Sequence, residues 1–151
     1  MKLIIDERII LTDLYVQDSS ELFHIVGKKL YEADFVTDQF IDEIIKREEK
    51  YPTGLPTKTP ISLCHTDSKH IKQQFLTLAT LKNPIPFHEM GISENVHDVK
   101  IAFFLGIIDK KEHITFLRKI MNLVRSEELL TTIYETKSEK MIKEILIKNL
   151  L

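Results

Sequence analysis

Six histidines are spread along the 151 residues, and His65 is set apart by its neighbours. It follows the apolar stretch Ile61 to Cys64 and precedes Thr66, Asp67 and Ser68, residue types that form turns. That pattern places it at a strand end, where side chains of open α/β sheets converge on clefts. An imidazole there has two chemical uses. With Asp67 and His70 it could hold a transition metal, but the spacing matches no established metal motif, and neither a Cys pair nor an HExxH pattern accompanies it. As a neutral nucleophile it could instead take up a phosphoryl group on one ring nitrogen, while a hydrogen bond at the other fixes the tautomer. Phosphoryl chemistry needs cationic help. Arg47 offers a planar fork of donors that never loses its charge. His113 falls in the first turn of a helix, where unpaired N–H groups and the positive dipole end favour a phosphoryl oxygen. Spacing alone favours a helix-end cation for Arg47 and an exposed first-turn residue for His113. His24 reads as structural, and His88 and His97, near turns, as solvated.

The elements that must position these residues follow from periodicity. A short β-type start at Ile9 to Leu11 leads to Asp18 and Glu21, which have the form of a capping box. Leu22, Ile25, Val26, Lys29 and Leu30 then make a helical stripe, with Lys29 on the core side. A second helix begins near Thr37 or Asp38, turns Phe40, Ile41, Ile44 and Ile45 inward, carries Arg47 in its last turn and stops before Pro52. Tyr51 to Pro60, with Pro52, Pro56 and Pro60, reads as a fixed loop without regular structure. Ile61 to Cys64 is a short strand. Ile71 to Leu81 is a mostly apolar β-type segment interrupted by Gln73 and Gln74 and ended by Asn83 and Pro84, with Ile85 to Phe87 as a brief edge strand. Val99 to Ile108 is apolar on both faces, which requires helices on both sides of the sheet. Asp109 and Glu112 form a second capping box before the stripe Phe116, Leu117, Ile120, Met121 and Val124. A short helix from Ser126 and a last one from about Thr136, with Met141, Ile142, Ile145, Leu146 and Asn149, complete an α/β layered domain.

Composition removes several function classes. The formal net charge is −2, with 43% apolar and 29% charged residues, and no Lys/Arg block gives an electrostatic footprint for nucleic acid. The apolar run Ile101 to Ile108 is far below the roughly 18 residues of a membrane span. The opening residues MKLIIDERIILTD mix charges into their apolar positions, so no exported precursor is expected. Cys64, the single cysteine, cannot form an internal disulfide.

The stretches R-E-E-K-Y-P-T-G-L-P (Arg47 to Pro56), S-L-C-H-T-D-S-K-H-I (Ser62 to Ile71), K-N-P-I-P-F-H-E-M-G (Lys82 to Gly91) and K-E-H-I-T-F-L (Lys111 to Leu117) resemble the enzyme IIA component of the bacterial sugar phosphotransferase system. Within the mannitol/fructose superfamily, the likeness is to the galactitol type. It implies one α/β domain over residues 1–151, with a mixed sheet of about five strands and helices on both faces. It implies a cytoplasmic phosphocarrier in which the histidine-containing phosphocarrier protein phosphorylates His65, and His65 passes the group to a cysteine of enzyme IIB. Arg47 matches the arginine beside the phosphoryl group, His113 the second active-site histidine of the mannitol-type branch, Thr53 a threonine of the same motif, and His70 a histidine of the galactitol type. No metal or cofactor is implied, and membrane association is indirect, through the permease. A regulatory paralogue that accepts phosphate at His65 without serving a transporter is the alternative. One departure is visible: family members usually carry Pro before the active histidine, where this chain has Cys64.

Overall fold

Alternation along the central strands decides the layering. In β5 (Ile92–Gly106), Ala102 and Phe104 enter one buried cluster while Ile101, Phe103 and Leu105 enter another on the opposite face. In β4 (Phe75–Glu89), Phe75 and Ala79 join the first cluster and Leu76 and Leu78 the second. A strand buried on both faces needs cover on both. Helices α1 (Ser19–Glu32) and α2 (Phe40–Lys50) supply it on one side. Helices α3 (Lys110–Val124), α4 (Glu127–Glu135) and α5 (Glu139–Leu150) supply it on the other. The structure, a computed structural model, describes residues 2–151.

The sheet is mixed and five-stranded. β4 pairs antiparallel with β5, and β1 (Leu11–Leu14) lies parallel to β4 through Leu11↔Ala79 and Leu14↔Leu81. β3 (Ile61–Cys64) runs parallel to β5 from Ile61↔Ile101 to Cys64↔Phe104. The two-residue β2 (Gly54–Leu55) joins β3 to the far end of β4, through Leu55↔Ile61 and Gly54↔Glu89. Gly54 is required at this crossing, since a Cβ there would stand 2.7 Å from the carbonyl oxygen of His88. The segment after α2 is therefore partly a strand rather than wholly irregular.

The largest departure from the sequence expectation is the length of β4. Asn83 and Pro84 do not end it, and Ile85 to Phe87 is not a separate strand. A register irregularity between Thr80 and Ile85 absorbs Pro84, which has no ladder donor to lose there. Beyond it, buried Ile85, Phe87 and Glu89 alternate with exposed Pro86 and His88. The hairpin turns at Gly91, whose φ of 81° is the left-handed region that glycine enters without strain. β5 consequently starts at Ile92, earlier than Val99.

Other differences are local. The N-terminal segment forms a 3-10 turn, Glu7–Ile9, before β1. Asp18 caps α1 as expected, accepting from the Glu21 N–H at 2.9 Å. Lys29 is exposed, however, while Phe23 and Gly27 are buried. Phe23 fits edge-on between Phe87 and Phe104, with ring centroids 6.1 and 5.9 Å away, and burial of such a ring contributes roughly 1.5–3 kcal/mol. A Cβ at Gly27 would overlap Ile41, so the α1–α2 approach depends on glycine. α2 begins at Phe40 after Gln39, and α5 at Glu139, capped by Ser138, with Met141 and Asn149 exposed.

Candidate active site

β3 ends at Cys64, and the next residue turns its ring out of the sheet. The Nδ1 of His65 lies 2.7 Å from the carbonyl oxygen of Leu63. A carbonyl only accepts, so Nδ1 carries the proton and Nε2 keeps its lone pair. Arg47, in the last turn of α2, brings Nη2 to 3.4 Å from that Nε2. The guanidinium is itself held: Nη1 donates to the Tyr51 carbonyl at 3.0 Å, and the group lies 4.6 Å from the centroid of the Tyr51 ring. His113 completes the cluster from α3, its ring centroid 5.5 Å from that of His65.

Burial and the neighbouring Arg47 favour the neutral form of both rings. Burial pushes the His65 imidazole below its ordinary value, the Leu63 carbonyl bond opposes this, and Arg47 and His113 add to the depression. Burial and then Arg47 lower His113 as well. A neutral ring with a lone pair facing a fixed cation is equipped to attack an electrophile whose transferring group carries negative charge.

The supports of these residues come from elsewhere in the chain. Asp109 caps α3 by accepting from the Lys111 N–H at 2.8 Å. Glu112, expected to close a capping box, accepts from Gln74 Nε2 at 2.9 Å, and Gln74 Oε1 accepts from the N–H groups of Ile108 and Asp109 at 2.9 and 3.2 Å. Gln74, buried at the base of β4, thus fixes the turn of α3 that carries His113. On the other side, Thr53 is buried and donates both its N–H and its hydroxyl to Glu48, each at 2.7 Å. Burial raises the Glu48 carboxyl, and the two Thr53 hydrogen bonds oppose the rise. Of the residues expected from sequence, Arg47, His65 and His113 come together and Thr53 lies beside them with its hydroxyl committed to Glu48. His70 does not join them. It is 4% exposed in the 3-10 turn Ser68–His70, its carbonyl accepts from the Thr37 N–H at 3.0 Å, and its Nε2 has no hydrogen-bond partner among the described residues.

Glu48, Tyr51 and Gln74 were not singled out from sequence. Gln74 did leave a signal, as a polar interruption in an apolar segment. His97, expected to be solvated, instead bonds Glu89 across the hairpin at 2.6 Å. Cys64 is fully buried and its thiol is pushed well up by burial, so it behaves as a small apolar residue. Among the described residues no group of three or more His, Cys, Asp or Glu side chains is placed to hold a metal ion.

Two cavities flank the Arg47–His65 pair. One, of about 680 Å³, is walled by Tyr51, Met90, Leu117 and Met121, with Thr53 in its lining. The other, of about 690 Å³, is walled by Asp67, Lys69, Lys110, His113 and Ile114. No helix among the described residues is long and apolar enough to cross a membrane.

Comparison with known proteins agrees with the fold. The PTS system galactitol-specific EIIA component of Escherichia coli (strain K12) is 23% identical over 150 residues, covering 93% of this chain and 97% of the relative. Among solved structures, the complex of enzyme IIAMTL with phosphorylated enzyme IIBMTL from Escherichia coli matches with a TM-score of 0.79 at 14% identity, covering 97% of this chain and 99% of that one. Nitrogen regulatory protein IIA-Ntr from Neisseria meningitidis matches with a TM-score of 0.78 at 19% identity, covering 94% of this chain and 95% of that one. The family model for the phosphoenolpyruvate-dependent sugar phosphotransferase system, EIIA 2, matches residues 3–149, and the chain belongs to that family.

Proposed function

We propose that residues 1–151 act as one cytoplasmic phosphocarrier domain, with Nε2 of His65 as the atom that carries the phosphoryl group. The observation that carries this reading is the fixed tautomer: Nδ1–H bound to the Leu63 carbonyl, and Nε2 aimed at Arg47. In the first transfer, the N–P bond of a phosphohistidine on the histidine-containing phosphocarrier protein breaks as the Nε2–P bond forms. In the second, the Nε2–P bond breaks as a cysteine thiolate of enzyme IIB takes up phosphorus. The three equatorial oxygens gather charge in both transition states, and Arg47 and His113 are the donors that face them. No metal or cofactor enters the scheme. Thr53 serves the site through the segment it anchors, and His70 braces the turn behind Asp67 and Lys69.

The IIB acceptor is supported by the similar fold of the enzyme IIAMTL chain solved with phosphorylated enzyme IIBMTL. A sugar-uptake setting is supported by the galactitol-specific relative. The test is intact-mass analysis after incubation with phosphoenolpyruvate, enzyme I and the phosphocarrier protein. One acid-labile phosphoryl group on the wild type and none on His65→Ala is expected, and equal incorporation by the variant overturns the assignment. Onward transfer to a IIB protein then separates a transport carrier from a regulatory paralogue.

A further inference from the structure

Hydrogen bonds joined by short stretches of backbone link a carboxylate outside the reacting group to both His65 and Arg47. Glu48 accepts from the N–H and the hydroxyl of Thr53, both at 2.7 Å. The Thr53 carbonyl accepts from the Leu63 N–H at 3.3 Å, and the Leu63 carbonyl holds Nδ1 of His65 at 2.7 Å. Tyr51, two residues before Thr53, holds Arg47 through its carbonyl and lies under the guanidinium with its ring. The segment Tyr51 to Thr53 is thus the common mount of Arg47 and of the strand end that orients His65. The segment is held at its start by the Tyr51 N–H on the Arg47 carbonyl at 2.8 Å and at its end by the Leu63 N–H on the Thr53 carbonyl, while Pro52 between them has no N–H to offer. Among the described residues, the only side chain that bonds a backbone N–H of the segment is the Glu48 carboxylate, which adds two charge-assisted hydrogen bonds at Thr53.

We infer that Glu48 is a positioning residue for phosphoryl transfer, pinning the Tyr51–Thr53 segment so that Arg47 and Nε2 of His65 stay in register. The inference rests on His65 as the phosphoryl acceptor for its kinetic readout, but its structural readout stands apart from that reading. Glu48 touches neither the phosphoryl group nor His65, so it acts only through its neighbours. A shift of about 1 Å in a reacting pair is enough to cost up to a hundredfold in rate.

The experiment uses the full chain with Glu48→Ala and Glu48→Gln. The glutamine keeps the volume and one acceptor oxygen while replacing the other with a donor, so it preserves folding if alanine does not. With phosphoenolpyruvate, enzyme I and the phosphocarrier protein as donor system, kcat is expected to fall about tenfold or more in Glu48→Ala and less in Glu48→Gln, with little change in KM for the donor. In parallel, nitrogen NMR follows the His65 ring. The titratable and charged groups that face it are Arg47 from α2 and His113 from α3, with Asp67, Lys69 and Lys110 across the cavity. Burial is the main cause of the His65 depression and Arg47 adds to it, so loosening the mount, which exposes the ring and frees Arg47, should move the His65 titration up and the Nδ1–H tautomer should lose its dominance. Wild-type kcat together with an unmoved His65 titration in both variants overturns the inference. If the wild type takes up no phosphoryl group, the functional reading fails, and the NMR titration alone decides the role of Glu48.

Discussion

The two cavities that meet at His65 are nearly equal in size, about 680 and 690 Å³, and differ in lining. The first presents Met90, Leu117, Met121 and the Tyr51 ring together with Lys50, and the second presents Asp67, Lys69, Lys110 and His113 beside Ile107, Ile108 and Ile114. Arg47 and His65 belong to both linings, so the pair stands on a ridge between a mainly apolar hollow and one richer in charged side chains. The two sides are also held differently. Glu48 fixes the apolar side through Thr53, and Gln74 fixes the charged side through the start of α3. On the function proposed above, the contrast means that one atom is offered to two partners because its positioning is separated from its surroundings. Buried polar groups hold the ridge, while exposed residues on each flank are free to meet a partner.

Removing the shared ridge is expected to have the largest effect. Arg47→Ala should slow phosphoryl uptake about 100- to 1000-fold, the usual loss for one donor to a transferring group, with the circular dichroism spectrum unchanged. A loss below threefold in single-turnover kinetics would mean that the cation on the ridge is not the stabilising group. His113→Ala touches only the charged side and should reduce uptake about tenfold, less than Arg47→Ala does; an unchanged rate would leave Arg47 as sole donor.

The pH dependence sharpens the same comparison. Burial first, then Arg47 and His113, depress His65, so its nucleophilic neutral form persists below the ordinary value of about 6.5. kcat/KM for uptake should stay level through that pH and fall only beneath it. An acid limb centred above 6.5 would show that the ring does not feel the ridge as drawn. The sign for stability agrees: below about 6.5 the unfolded chain binds the proton first, so the contribution of His65 is present above that pH and lost on acidification.

The smallest effects should separate the flanks from each other. Leu117→Ala, in the apolar hollow, should raise KM for a partner about fivefold with no change in its salt dependence. Lys69→Ala, in the charged hollow, should change association about twofold, and only at low salt. Equal salt dependence in the two variants would erase the distinction between the hollows.

Much of this arrangement was legible before folding was considered. The strand-to-turn transition around His65, the last-turn place of Arg47 and the first-turn place of His113 are local patterns, and all three hold. Lys29 shows the limit of periodicity, since a stripe counted by spacing put it inside, while packing against β4 and α2 selected Phe23 and Gly27 instead. Pro84 shows another, because proline is a strand terminator only where its missing N–H is needed, and the irregularity after Thr80 removes that need. Gln74 read as an interruption because side-chain partners such as Ile108, Asp109 and Glu112 are distant in sequence.

The sequence by itself determined the two-faced sheet, the helix starts at Asp18, Asp109 and Ser126, and the residue types able to exchange a phosphoryl group. These depend on alternation, capping side chains and intrinsic chemistry, which act within a few residues. Only the tertiary structure decided that Nε2 rather than Nδ1 faces Arg47, that Thr53 spends its hydroxyl on Glu48, and that His70 stays outside the cluster. Those outcomes depend on which carbonyl, carboxylate or ring arrives from another element, and such pairings exist only once β3, β5 and the ends of α2 and α3 have been packed together.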